Sequence, residues 1–356
     1  MTEILALNVG SSSLKYAVFD DDTERARGSV EGAKDAAIAV ATLLDRLASR
    51  PDAVGHRLVH GGPDHVAPAR IDPALRAQLE RLVPLSPLHL PGELAALDAA
   101  GVRLPEVPQI VCFDTAFHRT LPAVAQRLAV PDALHAAGVR RYGFHGLSYA
   151  SILSALPVEH RRRAVIAHLG SGASMAAIRD GRSVETTMGF SPAGGLVMST
   201  RTGDLDPGVL VYLLDRGHDA RQLEHLIHQG GGLAALSGTT GDMRRLLAER
   251  ARDPRAQLAV DVFCYHARQS IGALTAVLGG IDALVFTGGI GERASAVRAE
   301  ICDGLGYLGI AIDEAANAAS TAVISTGRCA VRVMRTDEER EIARAVRGML
   351  GAPAPG

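Results

Sequence analysis

The chain opens with LALNVGSSSLKYAVFD, which sets Asn8, Gly10, three serines and Lys15 between two strand-like runs. A tight Gly/Ser turn points several backbone N–H groups into one concavity, and those donors with nearby hydroxyls suit phosphate oxygens. Lysine adds a compact point charge. Its presence is informative, because of 37 basic residues only Lys15 and Lys34 are lysines. The spacing is not that of a Walker loop, and a strand follows in place of a helix. A hairpin turn with solvated serines accounts for the stretch equally well. In DALVFTGGIGERAS an apolar run ends at Phe286 and breaks into Gly288, Gly289 and Gly291, where a ligand could lie against backbone. A turn needed only for packing is the plainer reading. Charged clusters complete the inventory: Arg57 between His56 and His60, Asp114 after the run QIVCF, and Arg201 beside Asp204 and Asp206. A carboxylate just past a core strand is costly unless it is solvated or paired with a cation, and the arginines read as anion clamps. RRYGFHGLSY sets His145 ahead of a helix, where the residues alone favour a core histidine satisfied by backbone. A metal site from His56, His60 and His65 is disfavoured, because Gly61-Gly62-Pro63 breaks any helix and no carboxylate follows at ligand spacing.

These groups need strand ends and helix starts to hold them. Periodicity predicts strands at 3–9, 15–19, 53–59, 109–113, 282–287 and 329–334. Helices are expected near 34–48, 73–82, 92–100, 146–156, 206–216, 242–251 and 255–278. A last helix begins near 337, where Thr336 and Glu339 read as a capping box. The stretch AHLGSGASMAAIRDG restates ALNVGSSSLKYAVFDD: strand, polar residue, Gly/Ser turn, second strand ending in aspartate. Its place near the start of the second half points to duplication of one domain. With 356 residues and 47% apolar content the chain is long enough for two cores. Four scattered cysteines read as buried free thiols. A net charge of −2 argues against a nucleic-acid surface. No run reaches the 18 or so apolar residues of a membrane span, and a cytoplasmic location is the expectation.

NVGSSSLKY, HRLVHGG, FDTAFH, RRYGFHGLSY, HLGSGAS, TMGFSP, GLVMSTRTGDLDP, TGGIGER and TDEE follow one another in the order found in acetate kinases, and span nearly the whole chain. Together they are highly specific, and the chain resembles that family. The resemblance implies an α/β fold of two duplicated ribonuclease-H-like domains, the actin-like ATPase fold, flanking a nucleotide cleft. The N-terminal domain is expected over 1–147, completed by a C-terminal helix at 337–350, and the nucleotide-binding domain over 148–336. The implied activity is Mg2+-dependent, reversible phosphoryl transfer from ATP to acetate, with Mn2+ able to replace Mg2+. A homodimer is implied, and neither nucleic acid nor membrane is an expected partner.

By motif, the resemblance assigns Asn8, Ser11, Ser13 and Lys15 to the phosphate side. Arg57 and Arg201 hold the substrate carboxylate and neutralise the transferring phosphoryl group, and His145 donates to it. Asp114 orients the reacting groups and, with Glu338, helps place Mg2+, for which Asn8 is the second implied contact. His168, Leu169, Gly170, Ser171 and Gly172, then Asp242, Met243 and Arg244, then Gly289, Ile290, Gly291, Glu292 and Arg293 bind nucleotide. Val59, Leu88, Phe144 and Pro192 form the methyl pocket. The chain also departs from the family. Ser171 stands for the usual Asn, Gly241 for Ser and Arg293 for Asn, all on the nucleotide side, which leaves a donor such as pyrophosphate open. Leu90 replaces Asn and Ser199 replaces Gly, which leaves propionate or a slightly longer acid open, one methylene being worth about 1–3 kcal/mol. The segment between Lys15 and His56 is short, so peripheral strands or loops are expected to be missing. A rival of another class is a nucleotide switch like actin or the chaperones, which has no use for Arg57 and Arg201 together.

Overall fold

The structure, a computed structural model, describes residues 2–10, 13–31 and 35–351. The chain divides into two compact units: Met1–Arg119 with Phe144–Ser151 and Asp337–Gly356, and Thr120–Gly143 with Ile152–Thr336. The stretch 120–143, expected in the first domain, thus belongs to the second unit.

The first unit is built on strands β1 (Glu3–Val9), β2 (Ser13–Asp20), β3 (Thr23–Glu31), β4 (Ala53–Leu58), β5 (Ala69–Arg70) and β6 (Gln109–Phe113), in the sheet order β3-β2-β1-β4-β6-β5. β1 pairs antiparallel with β2 and parallel with β4, which runs parallel to β6. Side chains alternate across a strand, and here both sides are apolar. Ile4, Ala6, Ala17 and Phe19 pack with Ile342, Ala343 and Val346 of the helix Glu338–Gly351, while Leu5, Leu7 and Val18 pack with Val40 and Leu43. Helix on each face explains why ILALNV reads as an unbroken apolar run. β3 has no such run. Its residues TERARGSVE are mostly exposed on the sheet edge, so no periodicity marked them. The short segment between Lys15 and His56 therefore still holds a strand and the helix Ala36–Leu44.

The second unit repeats the plan with β7 (Arg163–Leu169), β8 (Ala173–Arg179), β9 (Arg182–Thr186), β10 (Ala283–Thr287) and β11 (Ala330–Val333), ordered β11-β10-β7-β8-β9. Each sheet thus has an antiparallel three-strand meander followed by two parallel strands, to which the first sheet adds the short antiparallel β5; this is the duplication that the two Gly/Ser hairpins announce. All four cysteines are free and buried. Among the described residues no helix is long and apolar enough to cross a membrane.

The capping box at the last helix is not formed. Asp337 accepts from the Arg340 N–H at 3.2 Å, its own N–H donates to Ser151 Oγ at 2.7 Å, and the buried Thr336 Oγ1 has no partner among the described residues. Glu339 points elsewhere, into the site.

Candidate functional site

In the first unit, register builds the centre. β4 pairs Arg57 with Cys112 and Leu58 with Phe113 of β6, so Arg57 and the residue directly after β6, Asp114, leave neighbouring strands side by side. Arg57 Nη2 and Nε donate to Asp114 Oδ2 at 2.7 and 3.1 Å, and Nη1 donates to Val9 O at 3.2 Å and to Glu93 Oε1 at 3.4 Å. Both acids are buried. Asp114 Oδ1 also accepts from the Leu147 N–H at 3.3 Å, in the first turn of the helix Gly146–Ala155, where free backbone donors favour an anion.

Asn8 closes β1 opposite Lys15 of β2. Its Nδ2 donates to Glu338 Oε2 at 2.8 Å and to Glu339 Oε1 at 3.0 Å, and Arg27 of β3 donates to Glu339 Oε2 at 2.5 Å and to Asp337 at 2.6 Å. Burial holds the Glu338 carboxyl above the ordinary carboxylate range, with Asp114 and Glu339 adding to the push against Arg57 and Asn8. That is excess negative charge with hard oxygen donors, which fits a magnesium ion held by one or two carboxylates and completed by phosphates. The Gly10 N–H donates to Ser13 O at 2.8 Å, closing the hairpin turn; Ser11 lies outside the described residues. Val59 and Phe144 are buried, while Leu88 is 43% exposed. His145 takes φ 57°, a left-handed backbone that is uncommon outside glycine and that accumulates at functional sites. His56, by contrast, is a core group: its Nε2 lies 2.6 Å from Gln109 Oε1, and burial lowers its pKa to about 4.

Nothing in LPGELAALDAA marks Glu93 as a site residue. It sits in the first turn of the helix Leu90–Arg103, and its Oε2 accepts from the Val59 N–H at 2.8 Å. Burial, opposed by Arg57 and the Val59 N–H, pushes its pKa from 4.5 to about 7. An acid whose folded pKa is raised stabilises the fold below its unfolded pKa and loses that contribution as pH climbs through the folded one. Glu93→Gln should therefore gain stability relative to the native chain between pH 4.5 and 8, by up to about 3 kcal/mol, as read from urea unfolding at both ends. A pH-independent difference between the two proteins refutes this.

In the second unit, the parallel pairing of His168 with Thr287 makes the segments His168–Gly172 and Gly288–Arg293 leave β7 and β10 together. The second of these is a short helix, and it is tied down by Arg298, which is fully buried and donates to Gly291 O at 2.8 Å, to Asn317 Oδ1 and O at 2.8 and 2.7 Å, and to Ser320 Oγ at 2.9 Å. Nothing in SAVRAEIC marks that arginine. Glu292 accepts from the Gly288 N–H at 3.2 Å, and burial raises its pKa. Arg293 is exposed. Asp242 caps the helix Met243–Glu249, accepting from the Arg244 N–H at 2.9 Å and pairing with the exposed Arg244 guanidinium, while Met243 is buried in the core. Arg201 Nη1 donates to the carbonyl of the buried Pro192 at 3.1 Å. Among the described residues no group of three or more His, Cys, Asp and Glu is placed to hold a metal ion.

A model of the acetokinase family matches residues 33–344. This chain belongs to the acetokinase family. It is 43% identical to acetate kinase of Nitrobacter hamburgensis, over 98% of this chain and 96% of that one, and 43% identical to acetate kinase of Rhizobium meliloti, over 99% and 100%. Among solved structures it resembles Porphyromonas gingivalis acetate kinase (TM-score 0.88, 34% identity, covering 98% and 100%). It also resembles a propionate kinase from Francisella tularensis (TM-score 0.91, 32% identity, covering 97% and 99%).

Ser171, Ser199 and Gly241 meet in one place. The Ser199 N–H donates to Ser171 O at 3.1 Å, and Ser199 Oγ donates to Gly241 O at 2.8 Å. A Cβ on Gly241 would stand 2.5 Å from the Ser199 carbonyl oxygen and 2.9 Å from its Cβ. A side chain at 241 would thus crowd both the backbone and the Cβ of Ser199. Gly241→Ser alone should cost about 1–3 kcal/mol, and Ser199→Gly in the same chain should recover part of it. Additive unfolding free energies in that double-mutant cycle speak against the coupling.

Proposed function

We propose that this chain is an acetate kinase, transferring the terminal phosphoryl group of ATP directly to acetate to give acetyl phosphate and ADP, and catalysing the reverse. A carboxylate oxygen attacks the phosphorus in line, the bond to the bridging oxygen breaks, and ADP leaves with the electron pair. The carboxylate is already ionised at pH 7, so no general base is needed. The barrier is repulsion between an anion and a polyphosphate, and catalysis consists of positioning and charge neutralisation.

Roles follow the side chains. Arg57 holds the acetate carboxylate, with Asp114 fixing the guanidinium plane, and Arg201 and His145 donate to the phosphoryl oxygens. Val59, Leu88, Phe144 and Pro192 bound the methyl group. Asn8, Ser11, Ser13 and Lys15 attend the phosphates. The segments at 168–172, 242–244 and 289–293 bind the nucleotide, with Met243 contributing through the core beneath them. Asn8 and Glu338 would hold Mg2+, or Mn2+ in its place, assisted by Asp114. When bound, the ion neutralises phosphate charge. The observation that carries this reading is the Arg57–Asp114 pair beside Asn8 and Glu338 in a chain that matches acetate kinases along its length.

The test is acyl phosphate trapping with hydroxylamine, using ATP, GTP and pyrophosphate against formate, acetate, propionate and butyrate. ATP with acetate should give the highest kcat/KM. A propionate preference is the second reading, favoured by the likeness to the Francisella tularensis propionate kinase. No acyl phosphate from any pair turns the reading toward a nucleotide switch.

We place the enzyme in the cytoplasm as a homodimer. The dimer is supported by the helix Pro207–Asp215, which with Leu205 exposes Val209, Val211, Tyr212 and Leu214, more apolar surface than scattered single residues. Light scattering should give twice the 37.2 kDa chain mass, and Val211→Glu with Tyr212→Glu should give the monomer. A native monomer rules the assembly out.

A further inference from the structure

Glu93 has no part in the roles above, yet it is the buried acid that touches two of the residues they use. One carboxylate oxygen holds the backbone of Val59, and the other faces Arg57 Nη1, the arm of the guanidinium that Asp114 does not take. It is carried on a helix while Arg57 lies in β4 and Val59 just after it, so it joins the Leu90–Arg103 helix to the end of β4. Architecture alone does not explain the charge. A glutamine of the same shape would accept from the Val59 N–H without an ion being desolvated, and an apolar residue would fill the space at lower cost. The raised pKa of about 7 is the sign of that desolvation. What a carboxylate does and an amide does not is accept from both the Val59 N–H and a guanidinium.

We propose that Glu93 is a positioning residue of the acyl site, locking the Arg57 guanidinium and the Val59 backbone into one geometry, so that it governs the fit of the carboxylate substrate and leaves nucleotide binding alone. The proposal rests on the reading of Arg57 as the carboxylate clamp and Val59 as a wall of the methyl pocket. With Glu93 ionised, as at pH 8, two anions grip the guanidinium along different edges. In Glu93→Gln the amide oxygen still serves Val59, but the amide N–H2 meets Arg57 Nη1 donor against donor, and the guanidinium shifts on its remaining contacts with Asp114 and Val9 O.

The experiment is steady-state kinetics of Glu93→Gln with acetate and with ATP varied in turn, alongside melting curves at pH 8. The variant is expected to fold with a Tm no lower than the native chain, to raise KM for acetate about tenfold, and to keep KM for ATP within about twofold. Glu93→Asp, which keeps the charge but falls one methylene short, should show the same split. Because Glu93 acts through Arg57, the loss in kcat/KM for acetate on Glu93→Gln should shrink to less than about twofold in an Arg57→Ala background. Unchanged KM for acetate in both single variants, or an equal rise in both KM values, overturns the positioning role. A native chain that makes no acetyl phosphate overturns the functional reading first, and the two failures are told apart by that control.

Discussion

Arg57→Ala should lower kcat/KM for acetate by about 10²–10³-fold, the loss found when one donor to a developing charge is removed. The loss should be visible in acetyl phosphate trapping at saturating ATP, and no change in KM for ATP is needed to explain it. The structure adds a second consequence that the residue string does not announce. Arg57 is the cation bonded to Asp114 and Glu93, and its charge also opposes the burial of Glu338. Removing it leaves buried carboxyls uncompensated, and breaking one side of such a pair typically costs about 3–5 kcal/mol. The variant should therefore melt well below the native protein at pH 8, with the gap narrowing toward pH 5 as Glu93 takes up a proton. Turnover within threefold of native, or a Tm gap that is the same at both pH values, would sink the arrangement described here.

Gly146→Ala should be almost as damaging without touching a charged group. A Cβ there would lie 1.8 Å from the carbonyl oxygen of Asp114 and 2.8 Å from Phe117 Cβ, and the first of these neighbours is backbone. The start of the helix Gly146–Ala155 must back away from Asp114, which breaks the Leu147 N–H bond to Oδ1 and shifts His145 next door. A displacement of about 1 Å in a reacting group can cost about 10²-fold. The measurement is kcat together with chemical unfolding, and Gly146→Ala with native kcat would mean that the helix start is free to move independently of Asp114.

How much of this could be read beforehand depends on the range of each interaction. The two hairpins and their repetition were legible because turn chemistry and strand period are local, and LALNVG and IAHLGSG carry both. Arg57 and Asp114 were legible as groups at strand ends, but only the parallel register of β4 and β6 makes them a pair. Glu93 and Glu339 were not legible. A single acid in the first turn of a helix is what the helix dipole favours anyway, and their partners lie far along the chain, at Val59 and at Asn8. The supposed capping box failed for the same reason, since Asn8 and Arg27 compete successfully for the Glu339 side chain. β3 escaped because an exposed edge strand buries too little to be periodic. Stretch 120–143 groups with the second unit although it lies between two segments of the first, a placement that contiguity in sequence does not announce.

The helix Glu338–Gly351 is made more than two hundred residues after the strands of the first sheet, yet it closes the first unit. At about 5–20 residues per second, roughly 10–40 s of synthesis separate Arg119 from Asp337. Throughout that interval Ile4, Ala6, Phe19, Ala53 and Ile110 have no Ile342 or Val346 to cover them, so one side of the first sheet waits in the nascent chain as a sticky face. The same late arrival delivers Glu338 and Glu339 to Asn8. A polypeptide released early thus lacks both the cover of its first core and the acidic wall of the site. Copies that stop short of Glu338 present the exposed apolar surface by which chaperones and proteases select their clients.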